Sequence, residues 1–174
     1  MLKIVCTGPE SSGKTTMARL LAAHFSCIWV PEYARDFLNR LGRAYRESDL
    51  LDIAKGQHSA IMKAAKNAHS LLICDTDLLT IHIWGMVKYK RSHPWIDQQM
   101  EQSDNTLYLL CRPDIPWEPD PLRENPDDRD ALFIRYENKL QQLNKRYFIV
   151  EGTPSNRTTS SIARIQQILN SETY

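Results

Sequence analysis

The residues Gly8-Pro9-Glu10-Ser11-Ser12-Gly13-Lys14-Thr15 match the pattern G-x-x-x-x-G-K-[ST] in full. They follow a strand-like run and precede a helix-like one, the context that separates a phosphate-binding loop from a chance match. The glycines let the backbone curl so that the N–H groups of the loop, those of Glu10, Ser11 and Ser12 among them, point at phosphate oxygens. The helix opening at Lys14, with Thr15 and Thr16 in its first turn, adds its positive dipole end. Lys14 is expected to reach the β- and γ-phosphates of ATP, and the Thr15 hydroxyl to hold Mg²⁺. The competing reading, a Gly/Ser turn beside a lysine, has no use for the strand before it and the helix after it.

Such a loop serves enzymes that pass phosphate to water and enzymes that pass it to a small molecule. A small GTPase needs N-K-x-D and D-x-x-G, and an ABC-type ATPase needs L-S-G-G-Q; none of these strings occurs. The missing guanine motif favours ATP. The chain is also short for an AAA motor with its added helical domain. The size class that remains is that of small-metabolite and nucleotide kinases. These need an acid for the acceptor hydroxyl, an acid for Mg²⁺ and a lid that brings arginines to the transferring group.

Candidates for each are present. Glu32 follows the apolar run ending in Val30, where ligands sit in open α/β sheets. It could bind a hydroxyl or act as general base, or simply be an acid in the first turn of a helix. Asp75 closes the run Leu72-Ile73-Cys74 and is expected to address Mg²⁺. Asp77 opens the next helix, with Thr80, Ile81 and Trp84 on its face; it is either part of the site or a cap. Residues 112–126 hold five prolines among acids and arginines, the composition of a lid or of a rigid surface connection. Of Arg112, Arg123 and Arg129, Arg123 lies deepest in that stretch and is the first choice for the transferring phosphoryl group. The aromatics Tyr33, Trp84, Trp95 and Trp117 fall near acceptor-side or lid segments. Together with acids they would suit a flat, cationic ring, which points to a nucleoside-like acceptor.

The elements that must position these residues alternate short apolar runs with segments of helical period, the pattern of a parallel α/β sheet. The runs are Leu2–Cys6, Cys27–Val30, Leu71–Cys74, Thr106–Cys111 and Tyr147–Val150. Helices are predicted at about 14–25, 32–41, 48–68, 77–88, 95–102, 126–144 and 155–169. Asn125-Pro126 reads as an N-cap followed by proline at the first helical position, and Leu132, Phe133, Tyr136, Leu140 and Leu143 then share one apolar face. The expected fold class is a three-layer α/β sandwich of the P-loop nucleoside and nucleotide kinase type. It has a five-stranded parallel sheet and a lid loop at about 112–126, in one domain over 1–174.

Composition agrees. With 42% hydrophobic and 25% charged residues and a net charge of +1, the chain resembles an ordinary globular domain with no basic face for nucleic acid. The cysteines Cys6, Cys27, Cys74 and Cys111 form no CxxC pair and read as buried apolar thiols in a reducing compartment. Absence of a leader and of a long apolar run predicts a cytoplasmic protein without a membrane partner.

The ordered strings GPESSGKT, EYARDF, CDTD, HPWID and WEPDPLR resemble the ribosylnicotinamide kinase domain of the bacterial regulators of NAD synthesis, from Leu2 to about Glu151. The resemblance implies transfer of phosphate from ATP, with Mg²⁺, to the 5′-hydroxyl of nicotinamide riboside. It implies roles for Lys14 and Thr15 at phosphate and metal, for Glu32, Asp75 and Asp77 around the hydroxyl, and for Arg123 in the lid. On the substrate side it adds Arg35 from E-Y-x-R, Asp120 from W-x-x-D-x-L-R, and His93, Pro94 and Asp97 from the H-P-x-x-D string. No H-x-G-H nucleotidyl-transfer string is present and a helix-turn-helix domain has no room, so the expectation is a free-standing kinase. The rival readings are a kinase for another small acceptor and a regulatory ATPase that transfers phosphate only to water.

Overall fold

The computed structural model describes residues 1–102, 105–124 and 127–171. Its strands are β1 (Leu2–Thr7), β2 (Ile28–Val30), β3 (Leu71–Asp75), β4 (Thr106–Cys111) and β5 (Arg146–Val150). Its helices are α1 (Lys14–His24), α2 (Tyr33–Leu41), α3 (Glu47–Ala65), α4 (Leu78–Lys88), α5 (Pro94–Glu101), α6 (Arg129–Gln142) and α7 (Pro154–Ser171).

All strand pairs are parallel, in the order β2-β3-β1-β4-β5. β3 and β4 flank β1, and both are buried at every position, which explains their unbroken apolar runs. Side chains alternate across β1. Leu2, Ile4 and Cys6 enter a core with α1 and α7, while Val5 enters the larger core with α2 to α6. The connection leaving β1 runs toward β2 while that leaving its neighbour β3 runs the other way to β4, so the loops after these two strands part and open a crevice at their carboxyl ends.

The expected sandwich and its apolar α6 face are therefore present: Leu132, Phe133, Tyr136 and Leu140 are buried, with Leu143 packed against them. The start of α6 differs. The helix begins at Arg129 after Asp128, which makes no side-chain capping bond. The predicted cap and helix-opening proline, Asn125 and Pro126, lie outside the described residues. Cys6, Cys74 and Cys111 are buried and Cys27 half-buried, all as free thiols. Among the described residues no helix is long and apolar enough to cross a membrane.

Candidate active site

Residues 8–16 wrap the mouth of the crevice. Gly8 has φ +131°, and a Cβ placed there would stand 2.6 Å from the carbonyl oxygen of Cys111 at the end of β4. Only glycine lets the loop pass this close to the strand. The Ser12 hydroxyl donates to the Pro9 carbonyl at 2.8 Å, and Lys14 Nζ donates to the same oxygen at 2.6 Å. Helix α1 follows Gly13 with no side-chain cap and no acid in its first turn. Its leading N–H groups therefore face the crevice unclaimed by protein carboxylates, as an anion site requires.

The crevice is lined by Gly8, Glu10, Ser11, Ser12, Gly13, Lys14, Thr15 and Thr16, then by Glu32, Arg35, Leu38, Thr80, Trp84, Leu122, Arg123 and Tyr136. Glu32 is the N-cap residue of α2, yet its side chain makes no capping bond and turns into the crevice instead. Burial raises its pKa, against the pull of Lys14 and Arg35 and with the repulsion of Asp75 and Glu10. Asp75, 1% exposed at the end of β3, is also raised by burial, while the Thr15 hydroxyl, Lys14 and Arg35 draw it down.

One carboxylate oxygen of Asp75, Oδ1, is buried with no hydrogen-bond partner. A buried anionic oxygen left so is costly, and a divalent cation is the natural occupant beside it. Among the described residues no three His, Cys, Asp or Glu side chains form a metal cage. Mg²⁺ does not require one, because it keeps several waters and binds through one or two carboxylates plus substrate phosphates. Thr15 and Asp75 thus fit the ion.

Asp77 uses its carboxylate differently. Oδ1 accepts from the Leu79 N–H at 3.0 Å, capping α4, and Oδ2 accepts from the Tyr108 hydroxyl at 2.7 Å. The first of these two bonds is the one the cap reading expects. Thr80 and Trp84, one and two turns along the same helix, do reach the crevice.

The lid docks on the cradle. Ser11 Oγ accepts from the Glu118 N–H at 2.9 Å, and both carboxylate oxygens of Glu10 receive the Glu124 N–H, at 3.0 and 3.2 Å. Arg35 pairs with Asp120 at 2.9 Å, tying α2 to the lid. Arg123 lines the crevice, donates to the Glu118 carbonyl and lies 5.8 Å from the Trp117 ring centroid. Arg112 instead pairs with Glu151 and stacks on Phe133, and Arg129 donates to the carbonyls of Ser11 and Ile115.

A second cavity adjoins the first and shares Glu10, Leu38, Trp84, Leu122 and Tyr136 with it. Its far wall is Tyr45, stacked on Trp84 at 6.1 Å between centroids, with Lys88 and Glu124. The Tyr45 hydroxyl donates to Glu124 at 2.9 Å, Lys88 Nζ sits 3.8 Å from the Tyr45 ring centroid, and burial pushes the phenol up to about 12. Nothing in the local sequence marks Tyr45, which joins the site through the loop before α3.

Several expected substrate residues lie elsewhere. Tyr33 packs on Phe37 and fills the space over Gly56. Trp95 meets His58 edge to face. His93 caps α5 by accepting from the Trp95 N–H at 3.1 Å, and it borders a separate cavity between α3, α4 and α5. Asp97 is paired with buried His82 at 2.7 Å. Trp117 supports the lid arginines without lining the crevice.

Residues 3–157 match a family model described as an AAA domain. The chain is 32% identical over 148 residues to the trifunctional NAD biosynthesis/regulator protein NadR of Salmonella typhimurium, covering 82% of this chain and 35% of that one. It is 32% identical over 124 residues to the protein of the same name from Escherichia coli, covering 69% of this chain and 30% of that one. It therefore spans about a third of the length of these curated relatives. Among solved structures, a NadR protein in complex with NR superposes with a TM-score of 0.73 at 17% identity, over 95% of this chain and 51% of that one. A deoxyadenosine kinase from M. mycoides with bound dCTP does so with a TM-score of 0.62 at 15% identity, over 95% of this chain and all (100%) of that one. At such identities the structural likeness establishes the fold.

Proposed function

The chain belongs to the AAA-domain family whose model spans residues 3–157 and is homologous to the NadR proteins; on that premise we propose that it is an ATP-dependent kinase of nicotinamide riboside. The family is described as an AAA domain, whereas the sequence excludes only an AAA motor with an added helical domain. The observation that carries the proposal is the adjacency of the two cavities, which share five lining residues. A phosphate cradle alone would serve hydrolysis. Here it passes the half-buried carboxylate of Glu32 and adjoins a pocket walled by Trp84, Tyr45 and Glu124. That is room for an acceptor beside the place where a γ-phosphate would lie.

In the reaction proposed, ATP lies with its phosphates over residues 8–16 and Lys14 against the β- and γ-phosphates. Mg²⁺, held by Thr15 and Asp75, would neutralise charge on the phosphate oxygens. Glu32 orients the acceptor's 5′-hydroxyl and takes its proton as the hydroxyl oxygen attacks the γ-phosphorus. The bond from that phosphorus to the β–γ bridging oxygen breaks in line, and ADP leaves. Arg123 supplies positive charge to the transferring group, and the docked lid excludes water, the competing nucleophile. Trp84 and the carboxylate of Glu10 favour a cationic pyridinium ring over a neutral base, Glu124 being already paired with Lys88.

The substrate is tested by comparing kcat/KM for nicotinamide riboside with that for uridine, cytidine and deoxyadenosine, with product masses recorded. The reading predicts at least a tenfold preference for the riboside and a product of nicotinamide mononucleotide. A better neutral nucleoside would overturn the choice of substrate and leave a kinase of another specificity.

A further inference from the structure

Arg157 belongs to no motif in the sequence. It sits on the first turn of α7, 145 residues from the cradle, and is only 4% exposed. A guanidinium taken so far from water needs partners for its five donors, and here four contacts serve it. Nε donates to the Gly152 carbonyl at 3.0 Å, Nη1 to the Ser12 carbonyl at 2.9 Å and Nη2 to the Arg112 carbonyl at 2.6 Å. Nη2 also pairs with Asp114. One side chain thereby joins the cradle, the end of β4, the root of the lid and the loop before α7.

The bond to Ser12 is the informative one. The carbonyl of Ser12 and the N–H of Gly13 belong to one peptide unit, and in a trans peptide they point in opposite directions. Holding the carbonyl from behind therefore aims the Gly13 N–H into the cradle, where the nucleotide's phosphates would lie. Charge is not the main effect. Asp114 stands against the guanidinium and is itself held below the usual carboxylate range: burial works to raise it, but the Gly152 N–H and Arg157 prevail.

We infer that Arg157 is a positioning residue for nucleotide binding, acting through the Ser12–Gly13 peptide of the cradle. The inference rests on the cradle's proposed role as an ATP site. It differs from a role in stability alone, because it requires the geometry of the planar fork and not merely a buried cation.

The test measures MgADP affinity by calorimetry for the intact chain, Arg157→Lys and Arg157→Met, with circular dichroism confirming the fold of each. Both variants are expected to bind at least tenfold more weakly than the unmodified chain. A folded Arg157→Lys that binds within twofold of it overturns the geometric assignment, and a folded Arg157→Met that does so overturns any role. Should Arg157→Met fail to fold, Asp114→Asn serves in its place. Loosening the fork from its carboxylate is expected to weaken MgADP at least threefold, and unchanged affinity overturns the inference. An unmodified chain that binds no MgADP refutes the cradle reading itself, a result distinct from all of these.

Discussion

Replacing Gly8 by alanine tests whether the cradle is held by close approach to β4. The φ of +131° lies where L side chains are strained, at a cost of about 1–3 kcal/mol. The added methyl carbon would also stand 2.6 Å from the Cys111 carbonyl oxygen. That atom is backbone in a fully buried strand paired to β1 and β5 on its two sides, so relief requires the cradle to move; overpacking of this kind costs about 1–3 kcal/mol. Together these give about 2–6 kcal/mol. At roughly 2–4 °C per kcal/mol for a chain of this size, the melting temperature should fall by about 10 °C. Gly42→Ala is the internal control: its φ is +67° but nothing lies within 4 Å of the added carbon. It should show strain alone, about 1–2 kcal/mol and a few degrees. Differential scanning calorimetry of both variants, with nucleotide titrations, reads the comparison. A Gly8→Ala protein melting within 2 °C of the parent, or no lower than Gly42→Ala, would refute the close-approach argument.

Glu32 should set the acid side of the pH profile. Its pKa is raised by burial, and a base must be deprotonated, so kcat/KM should be lost as pH falls through a value above the ordinary 4.5. Glu32→Gln should remove that limb and lower kcat by about 10²–10⁴-fold. The same raised pKa means that Glu32 favours the folded state below its unfolded pKa and loses that contribution as pH rises. Glu32→Gln should therefore melt no lower than the parent at pH 8; a large drop there would contradict the placement. Lys14→Ala should cost at least ~100-fold in kcat and Arg123→Ala only ~10-fold, since Arg123 is partly engaged with the Glu118 carbonyl. Equal losses in steady-state assays would contradict the ranking. Trp84→Ala should raise the acceptor KM about tenfold, whereas Trp95→Phe and His93→Ala, outside the crevice, should leave it within twofold.

What the sequence makes legible is what depends on short range. The cradle is eight consecutive residues, and β3 and β4 are unbroken apolar runs because both faces of the sheet are covered. Trp84 follows from helical spacing once α4 is placed. What is not legible depends on which distant element arrives. Tyr33 and Trp95 have the composition of ligand-binding aromatics, but Gly56 leaves a hollow that Tyr33 fills and His58 meets Trp95. Glu32 and Asp77 both precede helices, and local spacing treats them alike. Only the structure turns Glu32 into the crevice and brings Asp77 to the Leu79 N–H and to Tyr108. Tyr45, Lys88 and Glu124 meet across 36 to 79 residues, and Arg157 reaches Ser12 across 145, so neither group leaves a local signature.

The central claim is that phosphate leaves ATP for an acceptor held in the second cavity rather than for water. Its most direct test is ATP consumption with Mg²⁺, measured with and without nicotinamide riboside. The account predicts turnover that rises at least a hundredfold on adding the riboside, with one nicotinamide mononucleotide formed per ATP consumed. ATP hydrolysis at a rate indifferent to the riboside would contradict it and leave a phosphate cradle in the service of a regulatory ATPase.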